Sequence, residues 1–229
     1  MRTPRGIYAQ YNIMPSLQLH QLRVAAVAQL ICDKLSSEGG SASGGQKRVN
    51  SRDVILACLF HDMGNIIKFK LGALPELVEP EGVEYWEKKK AEYIQKYGND
   101  EHTASEQIAK EIGLSEAVLV CIDSIKFSKA EEISLHGSFE QKICEYADSR
   151  VGPTGVLSLE ERLADTRKRY LDQRPRSSIA GPQDRFEILM QAERDIEKQI
   201  FESATIEPTD ITDAAVSPLI EKLREYPID

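Results

Sequence analysis

From residue 15 to residue 35 the chain reads PSLQLHQLRVAAVAQLICDKL, and its apolar residues return every three or four positions. That period belongs to a helix with a buried face; a strand would need alternation. The same spacing recurs in SRDVILACLFHDMG (51–64), LSEAVLVCIDSIKF (114–127) and GSFEQKICEYADSRVG (137–152), and no convincing strand run interrupts them. The predicted fold class is all-α.

The residues at the segment ends agree. Pro15 and Ser16 open the first helix. Ser51 reads as the cap of the second, with Asp53 favouring its N-terminal dipole and Gly64 placed to end it. NDEHTASEQIAKEIG (99–113) opens on capping side chains and closes on Gly113, Ser115 reads as the next cap, and Ser138 with Gln141 makes a capping-box pattern. Between the second and third of these helices, residues 66–98 read as a mixed insert with prolines at 75 and 80, followed by the polar helix EYWEKKKAEYIQKYG. The tract SSEGGSASGGQKRVN reads as a flexible loop. Past Gly152 two long charged helices are expected, SLEERLADTRKRYLDQR and DRFEILMQAERDIEKQIF, joined by RPRSSIAGPQ; IEPTDIT then leads to a last helix, AAVSPLIEKLREY. The expected organisation is one helical domain over 1–152 and a C-terminal helical extension over 153–229. That extension packs on the domain or forms an oligomer surface, so a homo-oligomer is among the expectations.

Composition enters through what it excludes. A net charge of −8 over 229 residues argues against a protein that wraps nucleic acid, but leaves room for a local basic pocket that takes a small anion. The four cysteines, Cys32, Cys58, Cys121 and Cys144, sit in apolar helical patterns without a CxxC, as expected of buried, reduced thiols. No signal-peptide core and no membrane-spanning run is found, so the expected location is the cytoplasm.

Polar residues on the apolar stripes carry the chemistry. His20 shares its stripe with Val24, Val27 and Ile31, His61 with Val54 and Cys58, and Asp148 with Gln141 and Cys144. Three helices therefore aim nitrogen or oxygen ligands inward, with Asp62 directly after His61. Such groups at a buried helix end cost stability unless something pairs with them. One divalent cation meets that need; a mixed imidazole and carboxylate set discriminates poorly among Mn, Fe, Co, Ni, Zn and Mg.

At these residues a family comes into view. LHQLRVAAVA, LFHDMGN and EYADSRV resemble the successive signature segments of the HD-domain metal-dependent phosphohydrolases, over roughly residues 16–151. The resemblance implies a helical bundle holding one divalent metal through an H…HD…D pattern, here His20, His61, Asp62 and Asp148. It also implies hydrolysis of a phosphate ester, often of a nucleotide. Many members carry a lysine where this chain has Asn65, and Lys68 or Lys70 stands near enough to substitute. His102 matches the first of two extra histidines found in members with two metals; the second should fall near SIKFSK, which has none. His102 is then expected to contact phosphate or to protonate the leaving oxygen, and Asp148 or Asp62 to accept a proton from water. Arg23 and Arg150, close in sequence to the ligands, are candidates to neutralise the phosphate. Within the insert, Tyr85, Trp86, Tyr93 and Tyr97 could stack a base and Lys88, Lys89 and Lys90 could attract phosphate, although such a stretch is more often a solvated helix packing one face. His136 is expected to be exposed. The expected function is hydrolysis of a small phosphorylated substrate, a nucleotide or similar. The alternative is a non-catalytic metal- or ligand-binding regulatory module that has lost its phosphate-binding groups.

Overall fold

The computed structural model describes residues 1–35, 49–73, 77–172 and 182–229. The glycine- and serine-rich tract and the connection RPRSSIAGPQ, both expected to be loops, fall largely outside them, as does Pro75. Among the described residues there are eleven α-helices: α1 (Pro4–Gln10), α2 (Pro15–Lys34), α3 (Ser51–Phe60), α4 (Val83–Tyr97), α5 (Glu101–Ile112), α6 (Glu116–Ser124), α7 (Ala130–His136), α8 (Phe139–Asp148), α9 (Leu159–Asp172), α10 (Pro182–Phe201) and α11 (Asp213–Arg224). Extended pairing among these residues is limited to two isolated bridges, Leu35 with Ala204 and Val151 with Val156. The all-α expectation holds.

The molecule is organised around α2 and α3, which pack lengthwise on each other. Val24 to Ala28 of α2 are wholly enclosed, and the alanines among them let a neighbouring helix approach closely. In α3 every residue from Val54 to Phe60 is buried. Each large aliphatic side chain so enclosed stabilises the fold by roughly 1.5–3 kcal/mol. Helices α6 and α8 lie against α3, and α11 against α2. The region after residue 152 shares this core: Leu159, Leu163, Met190, Ile196, Ile200, Val216 and Leu223 join the same apolar cluster as α2 and α3. Of the cysteines, Cys58, Cys121 and Cys144 are buried and Cys32 is half-buried, all as free thiols.

Several local expectations hold. Ser115 caps α6, the Ser138–Gln141 capping box opens α8, and Gly113 ends α5 at a left-handed φ of 83°. Others need correction. The cap of α3 is Asn50, whose side chain accepts from the Asp53 amide, and not Ser51. Helix α3 stops at Phe60, where the Tyr8 hydroxyl takes up the Leu59 carbonyl at 2.6 Å, and residues 61–64 form a turn. Gly64 is needed for a different reason from the one expected. Its φ is −93°, so it is no left-handed stop. A Cβ there would lie 2.5 Å from the Glu101 carbonyl oxygen and 2.6 Å from the Ala104 Cβ. Glycine at this point lets the start of α5 close on the His61–Asp62 turn. Two short helices, α1 and α7, were not expected.

Candidate metal centre

Three helices bring the predicted ligands together. His20 comes from the second turn of α2, His61 and Asp62 from the turn that ends α3, and Asp148 from the last residue of α8. His20 Nε2 lies 3.1 Å from Asp148 Oδ1 and 3.6 Å from Asp62 Oδ2. His61 Nε2 lies 3.3 Å from Asp148 Oδ1 and 3.6 Å from Asp62 Oδ2. Among the described residues, His20, His61 and Asp62 form a group whose ligand atoms all fall within 4.8 Å of one another, close enough to hold one ion.

The donor set fits a cation. His61 Nδ1 is 2.9 Å from the Cys58 carbonyl, which can only accept, so Nδ1 carries the proton. A neutral His61 then presents a bare lone pair at Nε2, a buried atom with no well-aligned hydrogen bond, facing two carboxylates that also only accept. Acceptors turned toward one point are satisfied by a metal ion or by protons. Burial opposes a charge on His61, yet Asp62 and Asp148 push its pKa up to about 10. Burial likewise pushes the Asp148 carboxyl upward, but His20 and His61 override it and hold that group well below the usual carboxylate range.

Supporting residues fix the turn. Gln21, fully buried in α2, accepts the Asp62 amide at 3.2 Å, and Ser105 Oγ of α5 accepts the Gly64 amide at 2.9 Å. Neither was anticipated, although a glutamine inside an apolar stripe beside His20 was a legible sign. Behind the cluster, Glu145 of α8 and Glu193 of α10 are buried against each other. Burial and the facing Glu193 push the Glu145 carboxyl well upward, and burial raises Glu193 to about 7.

Three of the four, His20, Asp62 and Asp148, line an open cavity of about 570 Å³, and His61 lies outside its lining. Lys68, Lys70, Lys126, Arg162 and Arg169 line it, against Asp62 and Asp148 as its only lining carboxylates among the described residues. Its apolar wall includes Phe69 and Phe127. His102 also lines it, at the start of α5; burial lowers its pKa, and Lys126 and Lys68 add to that against the pull of Glu101. Asn65, at the position where many relatives have lysine, is 4% exposed and lines the cavity, its Oδ1 without a partner.

The remaining expected contacts lie elsewhere. Arg23 turns to α11, 3.9 Å from Asp213, and does not line the cavity. Arg150 is 2% exposed and spends its donors on the carbonyls of Leu157, Pro208 and Ile211 and on the Tyr146 hydroxyl. It is neither a surface residue nor in reach of a ligand in the cavity. Trp86, Tyr93 and Tyr97 pack into the core of the molecule, with Trp86 Nε1 bonded to the Val78 carbonyl and Tyr93 to that of Tyr11, so Phe69 and Phe127 are the aromatic surfaces offered instead. Lys90 donates to the Phe69 carbonyl and Lys89 pairs with Glu92. His136 is exposed, as expected.

Residues 18–125 match the family model of the HD domain. The matched segment is a little under half of the chain. HD domains make up a superfamily of metal-dependent phosphohydrolases, and the matched segment takes in His20, His61, Asp62 and His102 while stopping short of Asp148. No curated protein and no solved structure matches the chain. Among the described residues, no helix is long and apolar enough to cross a membrane.

Proposed function

We propose that this protein is a metal-dependent phosphohydrolase acting on a small phosphate ester, a nucleotide or a molecule of similar size. The observation that carries this reading is the cavity itself: in a chain of net charge −8, five lysines and arginines are gathered around the His20, His61, Asp62 and Asp148 cluster. A divalent ion held by those four residues supplies Lewis acidity toward a phosphoryl oxygen and toward water. The protein's own residues do the rest. Lys68, with its side chain 45% exposed, replaces the lysine missing at Asn65 as the charge that meets the phosphate. The amide of Asn65 adds an uncharged hydrogen-bonding group beside it.

His102 is the group placed to hold a proton at the leaving oxygen. Burial, and after it Lys126 and Lys68, disfavour the charged ring in the free protein, whereas a phosphate anion in the cavity offsets the lysines and moves the pKa upward. Phe69 and Phe127 give a flat apolar group such as a base a surface to lie on. The presence of Lys68 and His102 in the cavity favours this reading over a non-catalytic binding module.

The test is phosphate release from a panel of nucleotides and sugar phosphates with added Mn, Co, Ni or Mg. Turnover of at least one substrate that stops on chelation and returns with metal is the expected result. Intact substrates throughout, with stoichiometric metal still bound, would give the function to the binding module instead.

A further inference from the structure

Arg162 and Arg169 lie on α9, beyond the segment that matches the HD family, and both line the cavity. Seven residues apart, they stand on nearly the same face of the helix, about 10 Å apart along its axis. Their guanidinium groups nevertheless converge. Arg162 Nη1 lies 3.2 Å from Thr166 Oγ1 and Arg169 Nη2 lies 3.3 Å from the same oxygen. Asp165 is shared as well, 3.5 Å from Arg162 and 3.0 Å from Arg169. Two positive groups are thus held side by side with one carboxylate between them, and the Arg162 side chain is only 19% exposed, so water screens it poorly. Two guanidinium groups share the one carboxylate of Asp165, with the buried Glu193 also acting on Arg162, and their planar donors match the oxygens of a phosphoryl group.

A different set of groups marks the other wall. Lys68 Nζ and His102 Nε2 each lie 3.7 Å from Glu101 Oε1, so they flank one carboxylate beside the α3 turn. The cavity therefore carries two separately built groups of donors: Lys68 and His102 on the elements that follow His61 and Asp62, and the arginine pair on α9. From this arrangement we propose that Arg162 and Arg169 form a second anion subsite, and that the substrate is a phosphate ester carrying a second phosphoryl group. This rests on the phosphohydrolase reading for the first group only; the second can be detected whether or not the protein hydrolyses anything.

The experiment compares adenosine 3′,5′-bisphosphate with adenosine 5′-monophosphate as probes. Calorimetric Kd values are measured on the protein with the metal it retains on purification, and kcat/KM wherever turnover is seen. The wild-type chain should prefer the bisphosphate by roughly tenfold or more, the worth of a charge-assisted hydrogen-bond pair. Arg169→Ala, at a half-exposed side chain, should collapse that ratio, and Arg162→Lys should reduce it by removing the planar fork. A wild-type ratio near one overturns the proposal. So does an Arg169→Ala protein that weakens both probes equally, since the arginines would then grip the single phosphate. Selective binding without turnover would keep the subsite and remove the phosphohydrolase reading, so the two ideas fail separately.

Discussion

Asp148 and Arg150 stand two residues apart at the end of α8, and their surroundings are opposite in kind. Around Asp148 the matching is incomplete: His20 Nε2 reaches its Oδ1 at 3.1 Å, but the buried His61 Nε2 has no aligned hydrogen bond. Around Arg150 almost everything is matched, with three backbone carbonyls and the Tyr146 hydroxyl taking up its donors and Tyr146 passing a hydrogen bond of 2.7 Å on to Glu197. One region is arranged to receive something from outside. The other closes the molecule on itself, tying the end of α8 to the segment before α11. Nearness in sequence to a ligand is therefore a poor guide to membership of the site, because each step along a helical end turns the side chain by about 100°.

That contrast can be broken most decisively at the metal cluster. His61→Ala or Asp62→Ala should abolish metal retention, read by elemental analysis, while leaving the far-ultraviolet helical signal nearly unchanged. If the chain hydrolyses phosphate esters, losing several kcal/mol of Lewis-acid stabilisation should lower kcat/KM by on the order of 10³-fold. Either variant holding metal as tightly as the parent would undo the ligand assignment.

The next largest effect belongs to the other region and should appear in stability instead. Arg150→Ala strands buried carbonyls and should cost about 3 kcal/mol, seen as a fall in Tm of roughly 6–12 °C for a chain of this size. Metal content in the folded fraction should stay near that of the parent. Arg150→Ala protein that melts normally but loses its metal would mean the two regions are not separate after all.

The smallest effect sharpens the boundary between them, at Glu145 and Glu193. Both carboxyls have folded-state pKa values raised above the ordinary value of 4.5, Glu193 to about 7. A carboxyl raised in this way favours the fold below about 4.5 and loses that contribution as pH rises through 7. The parent should therefore unfold more easily at pH 8 than at pH 5 by at least about 1 kcal/mol from this pair. Glu145→Gln should flatten the difference, and an unchanged slope in denaturant titrations at the two pH values would assign it to other groups.

Much of this was legible in the sequence because helical periodicity is a local property. The stripes through His20, His61 and Asp148 gave both the fold class and the convergence of the cluster, since an inward-facing polar group on a buried helix has few places to go. What was not legible depends on the long-range closing of the chain. Helix α1 is too short for its spacing to register and owes its place to buried Ile7 and Tyr8. Gly64 looked like a helix stop, and only the arrival of α5 from 37 residues further on reveals its use. Arg162 and Arg169 sit in a charged helix that reads as solvated surface, and they join the cavity because the region after residue 152 packs back onto the bundle. Trp86, Tyr93 and Tyr97 of α4 had the opposite fate, drawn into the interior with their polar atoms bonded to neighbours, while Tyr85 stays exposed.

The buried thiols give this architecture a built-in clock. Cys58 sits on α3 one turn before His61, and Cys144 sits on α8 one turn before Asp148, with its sulfur facing the Val54 carbonyl at 3.9 Å. Burial raises the Cys144 thiol far from its reactive form, and no reagent reaches either sulfur while the two helices stay closed. The rate at which these two cysteines accept a chemical label is thus the rate at which the scaffold beneath the His61, Asp62 and Asp148 cluster comes apart.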